Sequence, residues 1–216
     1  GETFLSKSIA VGMSSLFGVG NSLFRTNKNR AMLVDSVPFP AYTREIINRA
    51  GPYDEELVRN QDDEYNYRIR KLGGKILLSP LIRSRYYSRG NFRSLWRQYF
   101  QYGYWKIRVL QKHPRQMSFR QFVPPAFVFS LICLVIWSFF SVVGLAILGI
   151  IAGTYIVANI LASILTAAKN GWQHIFLLPA VFAILHFSYG TGFLVGLIKF
   201  ANRWRQIEIS SFLRSE

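Results

Sequence analysis

No charged side chain occurs between Arg120 and Lys169. A membrane span takes about 20 apolar residues, so this run is long enough for two helices, roughly Pro124 to Ser141 and Leu145 to Thr166. A third apolar segment runs from Ile175 to Ile198. Gly149 and Gly153 form a Gly-x-x-x-Gly, a spacing that permits close helix packing in membranes. Cys133 is the only cysteine and lies inside the run, so neither a disulfide nor a metal site is indicated. His174 and His186 flank and interrupt the third segment with no acid near them in sequence, and they receive no role.

The spans raise a topological conflict. With the basic N-terminal part cytoplasmic, three spans leave Lys199, Arg203 and Arg205 outside, against the positive-inside tendency. Three spans are the expectation, and two spans with a re-entrant or interfacial third segment are the alternative.

Just ahead of the uncharged run, Phe92, Leu95, Trp96, Tyr99, Phe100, Gly103, Ile107 and Leu110 recur at helical spacing, with Arg93, Arg97, Gln101 and Arg108 on the other side. An aromatic face opposite a basic face, before a membrane region, describes a helix lying in the lipid interface. Tyr102, Tyr104 and Trp105 fit that depth, because amphipathic rings favour the headgroups. His113-Pro114 ends the helix. The net charge of +15 is compatible with nucleic acid, anionic lipid or phosphorylated substrates. Nucleic acid is set aside: no recognition motif is present, and the cations cluster before the uncharged run as membrane flanks do.

In the N-terminal part, Ala31 to Val37 reads as a strand ended by Pro38 and Pro40, and Thr43 caps a short helix from Arg44 to Ala50. Asp35 sits at the strand's end, where binding groups are often held. Gly18 to Arg25 reads as a turn feeding a strand, and its Gly-x-Gly is structural, since no third glycine opens a helix after it. Asn60 to Lys75 reads NQDDEYNYRIRKLGGK, a helix with both ends written in. Asn60 is the expected N-cap, Asp62, Asp63 and Glu64 complement the dipole, and Gly73 and Gly74 stop the helix. At about 100° per residue Asp62 falls within about 20° of Ile69, on the apolar stripe. Glu64 falls opposite, facing Arg68 at i,i+4, and both Asp63 and Glu64 are expected at the surface. One carboxylate, Asp62, therefore points inward from a helix N-terminus, placed to serve as a general base. A strand, Lys75 to Ser79, follows.

This block resembles that of inverting family 2 glycosyltransferases: an Asp and an acid two residues on, an Arg six residues after that Asp, then a Gly, a short strand and a Pro. Here these are Gln61, Asp62, Asp63, Glu64, Arg68, Gly73 or Gly74, the strand and Pro80. Val34-Asp35 before Pro-Phe-Pro-Ala-Tyr, Gly51-Pro52-Tyr53-Asp54-Glu55, and Gln98-Tyr99-Phe100-Gln101-Tyr102-Gly103 extend the likeness to the succinoglycan-biosynthesis (ExoA-like) subgroup, from about Gly18 to the chain's end. The resemblance implies that Asp62 deprotonates the acceptor hydroxyl. It implies acceptor or substrate contacts for Asp35, Gln61, Asp63, Arg68, Gln98, Gln101 and Tyr102. Gln61 stands where the wider family usually has Glu. The family's donor half carries an Asp-x-Asp metal motif, which does not occur in this sequence. A divalent metal, Mg or Mn, is therefore implied with ligands mainly outside this chain. Cellulose synthases carry Gln-x-x-Arg-Trp on the helix of Gln98, Gln101 and Tyr102, and the absence of Arg-Trp here favours adding a single sugar.

The expected architecture is the C-terminal, acceptor-side half of an α/β nucleotide-sugar transferase domain over 1–90. An amphipathic interface helix and linker (91–121), about three transmembrane helices (122–200) and a basic tail (201–216) follow. A first residue of Gly with no signal-like stretch suggests a chain beginning partway through a larger protein. The implied function is transfer of a sugar from a UDP-sugar to a lipid-linked glycan in exopolysaccharide synthesis at the bacterial inner membrane, in contact with membrane lipids. The alternative is a non-catalytic membrane module of a polysaccharide assembly complex.

Overall fold

The computed structural model describes residues 3–20, 30–82, 84 and 86–204. It is mostly helical. Helix α1 (Phe4–Met13) is capped by Thr3, whose hydroxyl accepts the Ser6 N–H at 3.1 Å, and α2 (Leu16–Val19) follows. Of the expected turn into a strand, Gly18 and Gly20 belong to α2 and its cap, while 21–25 lie outside the described residues. Strands β1 (Met32–Leu33) and β2 (Leu77–Leu78) pair antiparallel, Met32 opposite Leu78. The α/β layer expected over 1–90 is thus limited, among the described residues, to a two-stranded ribbon. Of the expected strands Ala31–Val37 and Lys75–Ser79, only Met32–Leu33 and Leu77–Leu78 form.

Between the strands lie α3 (Arg44–Ala50), capped by Thr43 as the sequence predicts, and α4 (Gln61–Lys71). Helix α4 ends in a Schellman motif: Gly74 N–H donates to Ile69 O and Gly73 N–H to Arg70 O, both at 3.0 Å, with Gly73 at φ 84°. Its other end differs from expectation. Asn60 is left-handed (φ 65°), a conformation that an N-cap does not take, and its side chain makes no capping bond. Its amide reaches across to Tyr102 O instead, at 3.1 Å.

Helix α5 (Phe92–Lys112) matches the predicted boundaries and is capped by Asn91. The apolar helices follow as α6 (Val123–Ser138), α7 (Val142–Asn170) and α8 (Leu178–Lys199); α7, α8 and the helical stretch Phe119–Ser138 that contains α6 are each long and apolar enough to cross a membrane by length and composition. Gly149 and Gly153 do not mediate the packing within this chain, since a Cβ at either would meet nothing within 4 Å. The close approaches are made elsewhere. A Cβ at Gly103 would strike the Tyr189 carbonyl, one at Gly192 the Phe100 carbonyl, and one at Gly196 would come to 2.6 Å from Tyr104 O. Glycine on both helices lets the backbones of α5 and α8 touch. Around this seam lie two apolar clusters, one of Ile9, Met13, Leu95, Tyr99, Val181, Phe182 and Leu185, the other of Ile107, Phe193 and Phe200. His174 and His186 are packed groups: His174 Nδ1 lies 2.8 Å from Ser8 Oγ, and His186 Nε2 lies 2.8 Å from Phe17 O.

Overpacking a filled interior costs about 1–3 kcal/mol, and about 2–4 °C of melting temperature per kcal/mol at this size. Gly192→Val should therefore lower the melting temperature of the detergent-solubilised protein by several degrees or abolish the folded species. Gly149→Val should leave it unchanged. Equal losses at both positions would show that the glycine seam is not what joins α5 to α8.

Candidate active site

The site is assembled where α4 begins. Helix α4 is held as a unit by its buried side chains: Tyr65, whose hydroxyl donates to Gly51 O at 2.9 Å, Asn66, whose amide donates to Ser36 Oγ and Val37 O, and Ile69. Tyr42 donates to Asn66 Oδ1 at 2.8 Å, and Tyr53 stacks on Tyr65 with ring centroids 4.3 Å apart. Arg68 donates to Ala50 O at 2.7 Å and to Pro52 O at 2.8 Å, so its guanidinium ties the loop after α3 to α4. These bonds fix the direction in which the first turn of α4 presents its acids.

Those acids face helix α5. Lys106, only 3 % exposed, pairs with Asp63 and donates to Gln116 Oε1 at 2.9 Å. A buried ammonium requires such partners, because an unpaired buried charge is far more costly. Burial pushes the Asp63 carboxyl up, but the Lys106 charge, its hydrogen bond and that of Gln116 outweigh it and hold Asp63 below the ordinary carboxylate range. Glu64 corrects the wheel-based expectation of a surface acid. Its side chain is 2 % exposed, in an ion pair with Arg68 at 2.7 Å and 2.9 Å from His113 Nε2. The linker after α5 folds back over this side of α4 and buries a face that a single-helix wheel assigns to water.

Asp62 is the exception. It is half-buried and, among the described residues, has no ion-pair partner. Its pKa is raised, first by burial and then by the neighbouring Asp63 carboxylate, with the backbone N–H groups of the helix start and Lys106 opposing. Tyr42 lies close enough to feel it: burial, the Tyr53 hydrogen bond and the Asp62 charge all hold the Tyr42 phenol protonated. A partly accessible carboxylate with raised basicity at a helix N-terminus is equipped to take a proton from a hydroxyl.

The other predicted site residues divide by place. Arg59 Nε donates to Gln101 Oε1 at 3.1 Å and Asn60 to Tyr102 O, so Gln101 and Tyr102 abut the chain entering α4, where Gln61 is exposed. Gln98 is buried and donates to Tyr102 Oη at 2.8 Å and Tyr86 Oη at 2.9 Å while accepting from Arg89. Asp35 is 83 % exposed and pairs with Arg70 at 2.9 Å, in the last turn of α4 rather than the first. Sequence reasoning missed Tyr42, Lys106, His113 and Gln116. It also read Arg108 as part of a lipid-facing basic side, whereas Arg108 is buried against Glu56 at 2.8 Å. Lys112, one turn on, pairs with Asp54 and with Glu56 at 2.8 Å, and Arg203 also pairs with Glu56. The signal available was the Asp54-Glu55-Glu56 cluster upstream of cations spaced i,i+4 on one helix.

A divalent ion implied by the family resemblance does not fit the residues present. Among the described residues no three His, Cys, Asp or Glu side chains converge, and Asp63 is taken by Lys106.

Compared with known proteins, the chain is 29 % identical over 126 residues to the succinoglycan biosynthesis protein ExoA of Rhizobium meliloti (strain 1021), covering 58 % of this chain and 38 % of that one. It is 26 % identical over 147 residues to the dolichyl N-acetyl-alpha-D-glucosaminyl phosphate 3-beta-D-2,3-diacetamido-2,3-dideoxy-beta-D-glucuronosyltransferase of Methanococcus voltae, covering 68 % and 42 %. The matches thus span about two fifths of the length of these curated relatives. No family model matches, and no solved structure does. The relatives point to glycosyl transfer at a general level.

Arg108 foremost, with Lys112, holds the Glu56 carboxyl at about 2 against burial, where 4.5 is ordinary. A depressed carboxylate contributes stability in full above about pH 4.5 and loses it as pH falls towards 2. Wild-type protein should lose melting temperature between pH 5 and about pH 3, and Glu56→Gln, already less stable at pH 7, should lose less over that interval. Parallel melting curves for the two would remove Glu56 from the acid sensitivity.

Proposed function

We propose that this chain is the acceptor-side and membrane part of an inverting glycosyltransferase, with Asp62 as the general base. The observation that carries the reading is the contrast within one helix turn: Asp63 and Glu64 are committed to Lys106, Arg68 and His113, while Asp62 keeps a raised pKa and no cation. In the reaction, Asp62 accepts the proton of an acceptor hydroxyl as its oxygen attacks the anomeric carbon of a UDP-sugar. The C–O bond to the diphosphate breaks on the opposite face, so the anomeric configuration inverts. Tyr42 lies near enough to feel the Asp62 charge and is bonded to Asn66 of the same helix, and Gln101 and Tyr102 of α5 hold Arg59 and Asn60 in the chain entering α4. Lys106 keeps Asp63 ionised beside Asp62, and that neighbouring carboxylate favours the protonated, product-side form of the base while the Lys106 charge itself opposes it. A divalent ion on the leaving diphosphate would take its ligands from outside this chain and would offset the charge that develops there.

A lipid-linked acceptor is supported by the apolar helices beside the site and by the dolichyl phosphate sugar in the name of the Methanococcus relative. The bacterial inner membrane, with the site cytoplasmic, is the location proposed, and an exopolysaccharide role rests on the ExoA likeness.

The test is transfer of labelled sugar from UDP-glucose and UDP-galactose into the lipid fraction of membranes holding the full-length protein. Asp62→Asn should reduce transfer at least about 100-fold at equal expression, the range expected for loss of a general base. The exposed Glu45→Gln should match wild type. Because the base must be ionised, the acid limb of kcat/KM should lie above pH 3.8, the ordinary Asp value. Asp62→Asn at wild-type activity would instead leave a non-catalytic assembly module as the reading.

A further inference from the structure

Three helices are long and apolar enough to cross a membrane, yet their surroundings differ in kind. Helices α6 and α7 form an antiparallel hairpin, closed by the turn at 139–141 and joined lower down by Phe127 stacking on Tyr155 with ring centroids 4.7 Å apart. Towards the turn its side chains are exposed and apolar: Phe129, Ile132 and Ile136 on α6, Val142, Leu145 and Ile150 on α7. Helix α8 is enclosed instead, with Leu178, Val181, Phe182, Leu185 and Phe193 all buried.

Contact order shows how α8 lies. Along α6, Phe122 meets Phe193, the Pro124 carbonyl faces Gly190, and Phe127 meets Phe187. Along α7, Tyr155 meets His186 and Asn159 reaches Pro179 O at 3.1 Å. Ascending either helix descends α8. Two helices antiparallel to each other cannot both be antiparallel to a third, so α8 crosses the open end of the hairpin and is not a third rod beside it.

Helix α8 is also bound lengthwise to α5. Leu95 and Tyr99 share a cluster with Phe182 and Leu185, Phe100 abuts Gly192, Tyr104 abuts Gly196, and Gln111 donates to Phe200 O at 2.9 Å. The two helices run parallel for the whole of α5, so they occupy the same depth. Helix α5 carries Arg93 and Arg97 exposed beside Trp96, and Lys106, Arg108 and Lys112 bonded to the acids of the site region. Such a helix does not sit through hydrocarbon, where charged side chains are costly, but suits the headgroup layer. The end of α8 is tied to the same region, because Arg203 pairs with Glu56.

We propose that α6 and α7 alone cross the bilayer, as a hairpin. Helices α5 and α8 then lie side by side in the headgroup layer, with Arg93 and Arg97 against lipid phosphates, and the end of α8 stays on the face of Asp62. Lys199 and Arg203 thereby remain with the other cations, and the positive-inside conflict disappears. The proposal rests on the membrane reading above but not on the enzymatic one.

The test is side-specific labelling of single cysteines with a membrane-impermeant maleimide. It uses the full-length protein with Cys133→Ala, in right-side-out and inverted vesicles. Glu55→Cys, Trp172→Cys and Ala201→Cys should label from one face and Phe140→Cys from the other. Asn202→Cys repeats the reading at a second exposed position should Ala201→Cys fold poorly. Labelling of 201 or 202 together with 140 would overturn the proposal, because α8 would then cross. Labelling of 140 together with 55 would remove the hairpin, and the membrane reading with it. Neither result depends on sugar transfer.

Discussion

The backbone contact between α5 and α8 sets the position of nearly everything else. Gly103, Gly192 and Gly196 remove the side chains that would hold two helices apart, and the resulting seam is extended by Leu95, Tyr99, Ile107 and Phe193 on either side. Association this close gains dispersion contacts along the whole length of α5 and leaves no room for sliding. One face of α5 is thereby fixed to an apolar helix. The opposite requirement, that Lys106, Arg108 and Lys112 find counter-charges, is met by the loop of Asp54 and Glu56 and by the first turn of α4. A helix that satisfies both demands at once joins an apolar layer to an acidic one.

The chemistry follows from the same pairing rule. Among the described residues, Asp54, Glu56, Asp63 and Glu64 are paired with cations from α5 or from α4 itself, and the pairings of Glu56 and Asp63 hold their carboxylates ionised. Asp62 is the acid of the α4 first turn left out of that scheme. Its basicity is raised because burial and Asp63 act on it without a directly bonded cation. Lys106 acts on Asp62 in two opposed ways: its own charge favours the ionised carboxylate, while by keeping Asp63 charged it sustains the repulsion that makes Asp62 more basic.

Much of this was legible from sequence, and the failures have physical causes. Helix α5 was legible from Phe92 up to the His113-Pro114 stop, because its amphipathic pattern persists over that whole stretch. Helix α4 and its Gly73-Gly74 stop were read correctly, as was the Arg68–Glu64 pair. Asn60 was not: its residue type suits an N-cap, but a partner 42 positions away, the Tyr102 carbonyl, claimed its amide. Glu64 was assigned to solvent because a helical wheel knows one neighbour, whereas α4 is covered from a second side by His113. The Gly149–Gly153 spacing was real, but packing within this chain chose glycines whose spacing announces nothing, since Gly103 and Gly192 matter only to each other's helix. Local signals were readable, and long-range partnerships were not.

The hairpin itself is unequal. The apolar arm that ends at Ser138 begins at Phe119 and has 20 residues, about 30 Å at 1.5 Å per residue, whereas α7 has 29, about 43 Å. A typical hydrocarbon core is about 30 Å thick. In the proposed hairpin the shorter arm therefore matches the core, with the exposed Phe139 and Phe140 at its tip, and the longer arm exceeds it. Such hydrophobic mismatch tilts the longer arm or locally thickens the bilayer around it. In that proposed arrangement bilayer thickness becomes a mechanical input, acting through α7 and its Asn159–Pro179 bond on α8 and so on the seam that aligns α5 with the acids of α4.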